Sequence, residues 1–285
     1  MNMNIAVTGG SGRLGRVVVK YLIECGHTVC SLDQVAPPKP QLSETDTHFQ
    51  RPLRFINVDL NDLQALTEAI RGCEAVIHLA AFPGPYGQPP GVVYANNTLT
   101  SYNVLFSTSS LGIQHVCLAS SVNALGGIGS RMGRFDYFPV DEQHPTYNED
   151  DYSLSKWVME QQADSFARRY PGMTINSLRF HALPDKPPEL QHSLDTAEAP
   201  VARNLWGWTL IHEAVRACEL AVQANYPGHE VFYITAPRTL SAIPSLELAH
   251  FAYPNVPVRG DLSGHKSFYD CSKAERLLGW AHFNG

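Results

Sequence analysis

Tyr152 and Lys156 stand four residues apart in DYSLSKWVMEQQADSFARRY, a spacing that puts both side chains on one face of a helix. An ammonium beside a phenol favours the phenolate. It draws a tyrosine from its ordinary value near 10 toward the range where it exchanges a proton with an alcohol or a carbonyl. Two surface residues on a helix would give the same pattern, so its surroundings matter. Ser121, in LASSVNALG, closes a strand-like run upstream. There its hydroxyl could bond the same substrate oxygen as Tyr152; Ser120 beside it reads as structural.

Proton exchange of this kind pairs with a hydride carrier, and the N-terminus supplies a candidate site for one. NIAVT runs into TGGSGRLG and then a helical pattern, so Gly9, Gly12 and Gly15 form a glycine-rich strand-to-helix turn. Such glycines let the backbone turn tightly and approach a pyrophosphate, whose charge is met by amides at the helix N-terminus. Asp33 ends the next strand, 24 residues after Gly9. A carboxylate there accepts from the adenosine ribose hydroxyls and repels a 2'-phosphate, which favours NAD over NADP. Arg13, inside the turn, is the argument for NADP, or is a solvated surface arginine.

These residues need a sheet to position them. Strands are expected at 4–8, 28–33, 54–58, 74–79, 115–119 and 174–179, with apolar residues recurring at helical spacing between them (14, 17, 18, 21 and 22; 63, 66 and 70; 158, 159 and 166). The alternation predicts an α/β fold, a Rossmann-type doubly wound parallel sheet. Residues 1–180 form the dinucleotide-binding domain. Residues 181–285 contribute a helix near 211–225, a strand near 230–235 and a last helix near 272–278, and are expected to complete the sheet and form a small C-terminal substrate-binding cap. AFPGPYGQPPG (81–91) and LGGIGSRMGRFDYF (125–138) follow strands at their carboxyl ends, where open α/β sheets bind ligands, and are read as walls of the site. APPKPQ at 36–41 reads as a surface loop.

The 285 residues are 44% hydrophobic and 17% charged, which excludes a disordered or fibrous chain. A net charge of −6 without a dense basic cluster argues against nucleic acid as a partner. No apolar run reaches the roughly 18 residues of a membrane span, and no signal-like segment opens the chain, so a cytoplasmic enzyme acting on a small molecule is expected. Six scattered cysteines, with no CxxC, read as buried thiols. Twelve histidines without HxH or HExxH spacing predict no metal site.

Taken together, TGGSGRLG, Asp33, the VDL of Asp59, HLAA at 78–81, NNT at 96–98, SSVNALG, YSLSK and SLRF resemble the extended short-chain dehydrogenase/reductases of the NAD-dependent epimerase/dehydratase family, over about residues 3–180. The resemblance implies that Gly9, Gly12, Arg13, Leu14 and Gly15 border the pyrophosphate and that Asp59 and Leu60 meet the adenine edge. Leu79, Ala80 and Ala81 would lie near the nicotinamide ribose. Asn97 would support the proton relay of Ser121, Tyr152 and Lys156, and Lys156 would also bind the nicotinamide ribose. Relatives often pair through helices at about 92–112 and 151–170, which implies a homodimer.

The pattern breaks where specificity is decided. Sugar-nucleotide enzymes of the family continue after LRF with an Asn and a Gly-Pro turn, whereas this chain reads His181, Ala182, Leu183, Pro184. A diphosphate clamp needs cations, and in this stretch only Arg203 is close. The acid pair of the related dehydratases is replaced by Val122 and Asn123. Asn123 could orient a substrate or be a loop amide. His181 and His212 are candidate auxiliary acids or bases, or packed histidines. Trp206 and Trp208 could wall the substrate, Trp208 being the one retained as a candidate, or belong to the core. The leading reading is an NAD-dependent oxidoreductase. The alternative is an epimerase working through a transient ketone, for which His181 is the nearest second acid/base.

Overall fold

The computed structural model describes residues 2–37 and 53–283. Most of the proline-rich 36–41 segment therefore lies outside the described residues. The strands are β1 (Asn4–Thr8), β2 (Thr28–Asp33), β3 (Leu53–Asn57), β4 (Ala75–His78), β5 (His115–Ser121), β6 (Thr174–Phe180) and β7 (Gly228–Ile234); the inner ones, such as β1, β4 and β6, are almost wholly buried, as parallel strands covered on both faces are, whereas the edge strand β3 is largely exposed. All pair in parallel in the order β3-β2-β1-β4-β5-β6-β7. The order reverses between β1 and β4, and this switch point opens a crevice at the strands' carboxyl ends.

Helices cover both faces. On one, α1 (Arg13–Glu24) turns Val18, Val19 and Leu22 onto β1 and β2, where they share a core with Ala214, Ala217, Cys218 and Ala221 of α6 (Ile211–Gln223). On the other lie α2 (Leu63–Ala69), α3 (Val92–Ser110) and α4 (Asp151–Arg169). α4 starts where the Asp150 carboxylate accepts the Ser153 amide at 2.8 Å, a side-chain cap for an otherwise unbonded helix N–H. That cap fixes where the turn carrying Tyr152 and Lys156 begins.

The expected strands and helices are present, with β5 running on to Ser121. Two helices beyond those expected, a short α5 (Pro200–Arg203) and α7 (Ser245–Ala252), join loops around a separate core of Phe135, Phe138, Trp206, Tyr253, Phe268 and Tyr269. The expected last helix, α8 (Ser272–Leu278), instead sends Ala274 and Leu278 into the core shared by α1 and α6. The 125–138 segment is thus divided: Ile128 faces the crevice, whereas Phe135 and Phe138 are core. α5, a single turn of four residues, is too short to show a helical period in sequence. Among the described residues no helix is long and apolar enough to cross a membrane.

Candidate active site

The glycine turn joins β1 to α1, and its glycines act in different ways. Gly9 has φ +70°, and a Cβ there would lie 2.7 Å from the Ala80 amide nitrogen; at Gly15 it would lie 2.0 Å from the Gly9 carbonyl. The first glycine lets the turn lie against the exit of β4, the second lets α1 start close beneath it. No side chain caps α1 and no acidic residue occupies its first turn, which leaves amides and the positive end of the helix facing the crevice. Asp33 Oδ2 accepts the Ser11 amide at 3.0 Å and Oδ1 the Val35 amide at 3.2 Å. The Ser11 hydroxyl is buried without a partner among the described residues. An orphaned hydroxyl, uncapped amides and a carboxylate at the end of β2 fit a dinucleotide's phosphates and ribose.

A cleft of about 620 Å³ runs from this turn along the ends of β4, β5 and β6. Gly9, Gly12, Arg13, Leu14, Gly15 and Leu79 line one end and Ser121, Asn123, Tyr152 and Lys156 the other. Ser121 Oγ accepts the Asn123 amide at 3.1 Å, fixing the turn that follows β5. Burial raises the Tyr152 pKa, and the neighbouring Ser121 hydroxyl opposes the rise. The Lys156 ammonium donates to the Ala119 carbonyl at 2.7 Å and lies 5.8 Å from the centre of the Tyr152 ring. Burial brings its pKa down to about 8, against the opposing pull of Glu160 one turn along α4.

Below the relay lies a buried ion pair. Arg179 on β6 donates to both Glu160 oxygens, at 2.9 and 2.7 Å, and to Tyr233 Oη at 2.9 Å, while Ser120 Oγ donates to Glu160 at 2.6 Å. These bonds tie α4 to β5 and β6, the two strands beside the site. The fork geometry and extra donors offset the desolvation of both charges. On the opposite side His78 Nδ1 meets Thr8 Oγ1 at 2.8 Å. Burial, reinforced by Lys156, brings its pKa down to about 3, so the imidazole is neutral.

A model of the NAD dependent epimerase/dehydratase family matches residues 5–183. The chain belongs to this family. It is 30% identical to a putative dihydroflavonol 4-reductase of Synechocystis sp. over 59% of its own length and 46% of that protein's. It is 26% identical to a UDP-glucose 4-epimerase of Corynebacterium glutamicum over 62% and 50%, and 28% identical to the NAD(+)-dependent dTDP-6-deoxy-L-talose 4-dehydrogenase of Aggregatibacter actinomycetemcomitans over 63% and 61%. The matches thus span about half of these relatives, or somewhat more. Among solved structures, a mutated uronate dehydrogenase superposes with TM-score 0.69 at 21% identity, covering 100% of this chain and 83% of that one. A UDP-glucose 4-epimerase of Thermotoga maritima superposes with TM-score 0.68 at 22% identity, covering 99% and 94%. These likenesses establish the Rossmann-like fold.

Not every residue singled out for this family member reaches the cleft. Asn97 spends its amide elsewhere, accepting the Phe82 amide at 2.9 Å and donating to the Phe82 carbonyl and to Ser155 Oγ, both at 3.1 Å. It therefore anchors the root of the 81–91 wall to α4. Asp59 is exposed, its carboxylate held below its usual range chiefly by the Asn61 amide. The Leu60 carbonyl takes Asn103 Nδ2 at 2.8 Å. Ala81 lines the cleft, and Ala80 packs beneath Gly9. Arg13 pairs with Asp185 of the cap at 3.3 Å, both exposed.

Two proposed substrate residues lie elsewhere. His212 is exposed on α6 and outside the cleft lining. Trp208 is buried against His282, because the strand-like stretch after Gly207 packs inward; Trp206 belongs to the cap core. His181 does line the cleft, yet its Nδ1 accepts the Ala182 amide at 2.7 Å and its Nε2 meets the Asn204 carbonyl at 3.0 Å. Burial brings it down to about 4. Both nitrogens are engaged and the ring is neutral. Pro83, Pro85, Tyr86, Leu183, Asn204 and Ile211 also line it. Asn204, Leu183 and Ile211 carry no spacing signal in the sequence, since no regular element connects them.

Proposed function

We propose that the chain is an NAD-dependent oxidoreductase that interconverts a hydroxyl and a carbonyl on a small molecule. The observation that carries this reading is that Ser121, Tyr152 and Lys156 share one cleft with the glycine turn. Gly9, Gly12, Gly15, the first amides of α1, Ser11 and Asp33 would hold NAD, which supplies the hydride acceptor, or as NADH the donor, when bound. Ser121 Oγ holds the reacting oxygen. Tyr152 Oη takes the proton from it in oxidation and returns it in reduction. Lys156, fixed by the Ala119 carbonyl, brings positive charge to the phenol and favours its ionised form. The Glu160–Arg179 pair holds α4 against β5, and Asn97 holds the wall loop. Epimerisation through a transient ketone would need a second acid/base or room for the ketone to turn, and His181 is poorly suited to the first role because both ring nitrogens are engaged.

Tyr152→Phe tests the relay. Turnover, followed by NADH absorbance with a panel of small alcohols and sugars, should fall at least about a thousandfold, while the Kd for NAD changes by less than about threefold. Retained turnover would remove Tyr152 from the mechanism.

The cytoplasmic, homodimeric form belongs to the same reading. What supports the dimer is an apolar strip on α3 and α4, where Leu99, Tyr102, Phe106 and Leu154 remain exposed; a covering partner would bury them. Light scattering should give about twice the 31.5 kDa chain mass, and Tyr102→Glu should halve it. A monomeric wild type would refute the dimer.

A further inference from the structure

Asn123 is an amide with one end fixed and the other free. Its backbone N–H donates to Ser121 Oγ at 3.1 Å, inside the tight turn Val122–Leu125, so its side chain starts beside the hydroxyl assigned to the reacting oxygen. The Ile128 amide donates to Asn123 Oδ1 at 3.1 Å. A backbone N–H has no lone pair to offer, so the atom facing it is the oxygen and the NH2 group points away from it. Gly127 packs close behind that oxygen, where a Cβ would lie 2.6 Å from it, and so helps to hold the amide in this orientation.

Asn123 Nδ2 has no partner among the described residues, and unlike Asn204 Oδ1 it is not sealed from solvent. The residue lines the cleft beside Ser121, Tyr152 and Lys156. A side-chain NH2 brings two N–H donors and accepts nothing. While water covers them these donors are satisfied; a substrate that displaces the water must supply an acceptor or leave them unmet, at a cost comparable to a lost hydrogen bond. Asn123 has no proton to exchange, so its part is to hold a second oxygen while Ser121 and Tyr152 handle the first.

We infer that the substrate is a hydroxy-carbonyl compound, with a carbonyl oxygen one or two carbons from the reacting carbon, and that Asn123 selects it by donating from Nδ2 to that oxygen. The inference rests on the oxidoreductase reading of the same cleft. A carbonyl oxygen brings lone pairs alone to the NH2 group. A second hydroxyl would also bring a proton, which the neighbouring Val122 and Ile128 side chains of the lining cannot accept.

The test is NADH-linked reduction of dicarbonyls against matched monocarbonyls: butane-2,3-dione and methyl pyruvate against butan-2-one, and methyl acetoacetate against pentan-2-one. Each dicarbonyl reduction moves a hydride from NADH to the carbonyl carbon and the Tyr152 proton to its oxygen, leaving a hydroxy-carbonyl product and NAD. The wild type should reduce at least one dicarbonyl with a higher kcat/KM than its partner, and Asn123→Asp should lower that preference about tenfold, the worth of one hydrogen bond. Taking the ratio between wild type and variant cancels the intrinsic reactivity of the probes. Asn123→Asp keeps the acceptor for the Ile128 amide and loses only the donor, so an Asn123 that merely shapes the turn would leave the preference as it is. Gly127→Ala, which presses on the amide without changing its chemistry, should lower the preference as well. No reduction of any dicarbonyl, or an unchanged preference in Asn123→Asp, would overturn the inference. Failure of the oxidoreductase reading shows separately, as absent NAD binding or a fully active Tyr152→Phe.

Discussion

The nucleotide side of the sheet and the cap differ in how fully they settle their polar groups. Around β1, β2, β5 and α4, Asp33 accepts two backbone amides, Lys156 donates to Ala119, and Glu160 gathers Arg179 and Ser120. In the cap an aromatic core does the holding, and Ser130 Oγ, Arg203 Nε, Asn204 Oδ1, Trp206 Nε1 and Trp208 Nε1 are buried without partners among the described residues. Groups that must keep one geometry through a reaction are braced on regular elements. Most of the cap's unpartnered atoms sit in loops, although Tyr253 and Tyr269 donate there to the Ala202 and Asn204 carbonyls, and Ser11 Oγ and His115 Nδ1 are the unpartnered atoms of the sheet's own side among the described residues.

The contrast is sharpened most by removing a brace. Glu160→Ala leaves the Arg179 guanidinium buried and unpaired, and should cost about 3–5 kcal/mol in denaturant unfolding. Removing the exposed Arg13–Asp185 pair should cost less than about 1 kcal/mol. Equal costs would break the distinction between a braced site and a loosely held rim.

A smaller effect comes from the buried ammonium. The folded chain holds the Lys156 proton only below about 8, the unfolded chain up to about 10.4. Between those values the unfolded state binds more protons, so stability rises with pH across the window and the full penalty is carried below it. Lys156→Met should therefore raise stability by up to about 3 kcal/mol at neutral pH, with the gain shrinking as pH climbs from about 8 to 10. Parallel Tm curves for the two proteins over that range would show that the ammonium is not strained by burial.

The same contrast explains what the sequence made legible. The glycine turn, Asp33, Ser121 and the Tyr152–Lys156 spacing were readable because each sits at a fixed place on a strand end or helix face, where period and position carry meaning. β2 and α8 fell on their expected residues, 28–33 and 272–278, for the same reason. Trp208 and His212 were misplaced because aromatic and imidazole side chains suit a core or a surface as readily as a pocket. Asn204 went unread because its place in the cleft lining depends on two left-handed residues after it and on donors from Gly207, His181 and Tyr269 to its carbonyl, contacts with no local signature. Asn97 matched its motif, yet only the structure shows its amide holding Phe82 and Ser155.

If the turn after β1, closed by Asp33, is an NAD site, titration of the wild type and Asp33→Ala with NAD and NADP shows it most directly. The wild type should bind NAD at least about tenfold tighter than NADP, since hydrogen bonds to a charged group are worth that much. Asp33→Ala should weaken NAD and bring the two cofactors within about threefold of each other. A wild type that binds neither dinucleotide, or an Asp33→Ala variant with unchanged preference, would contradict it.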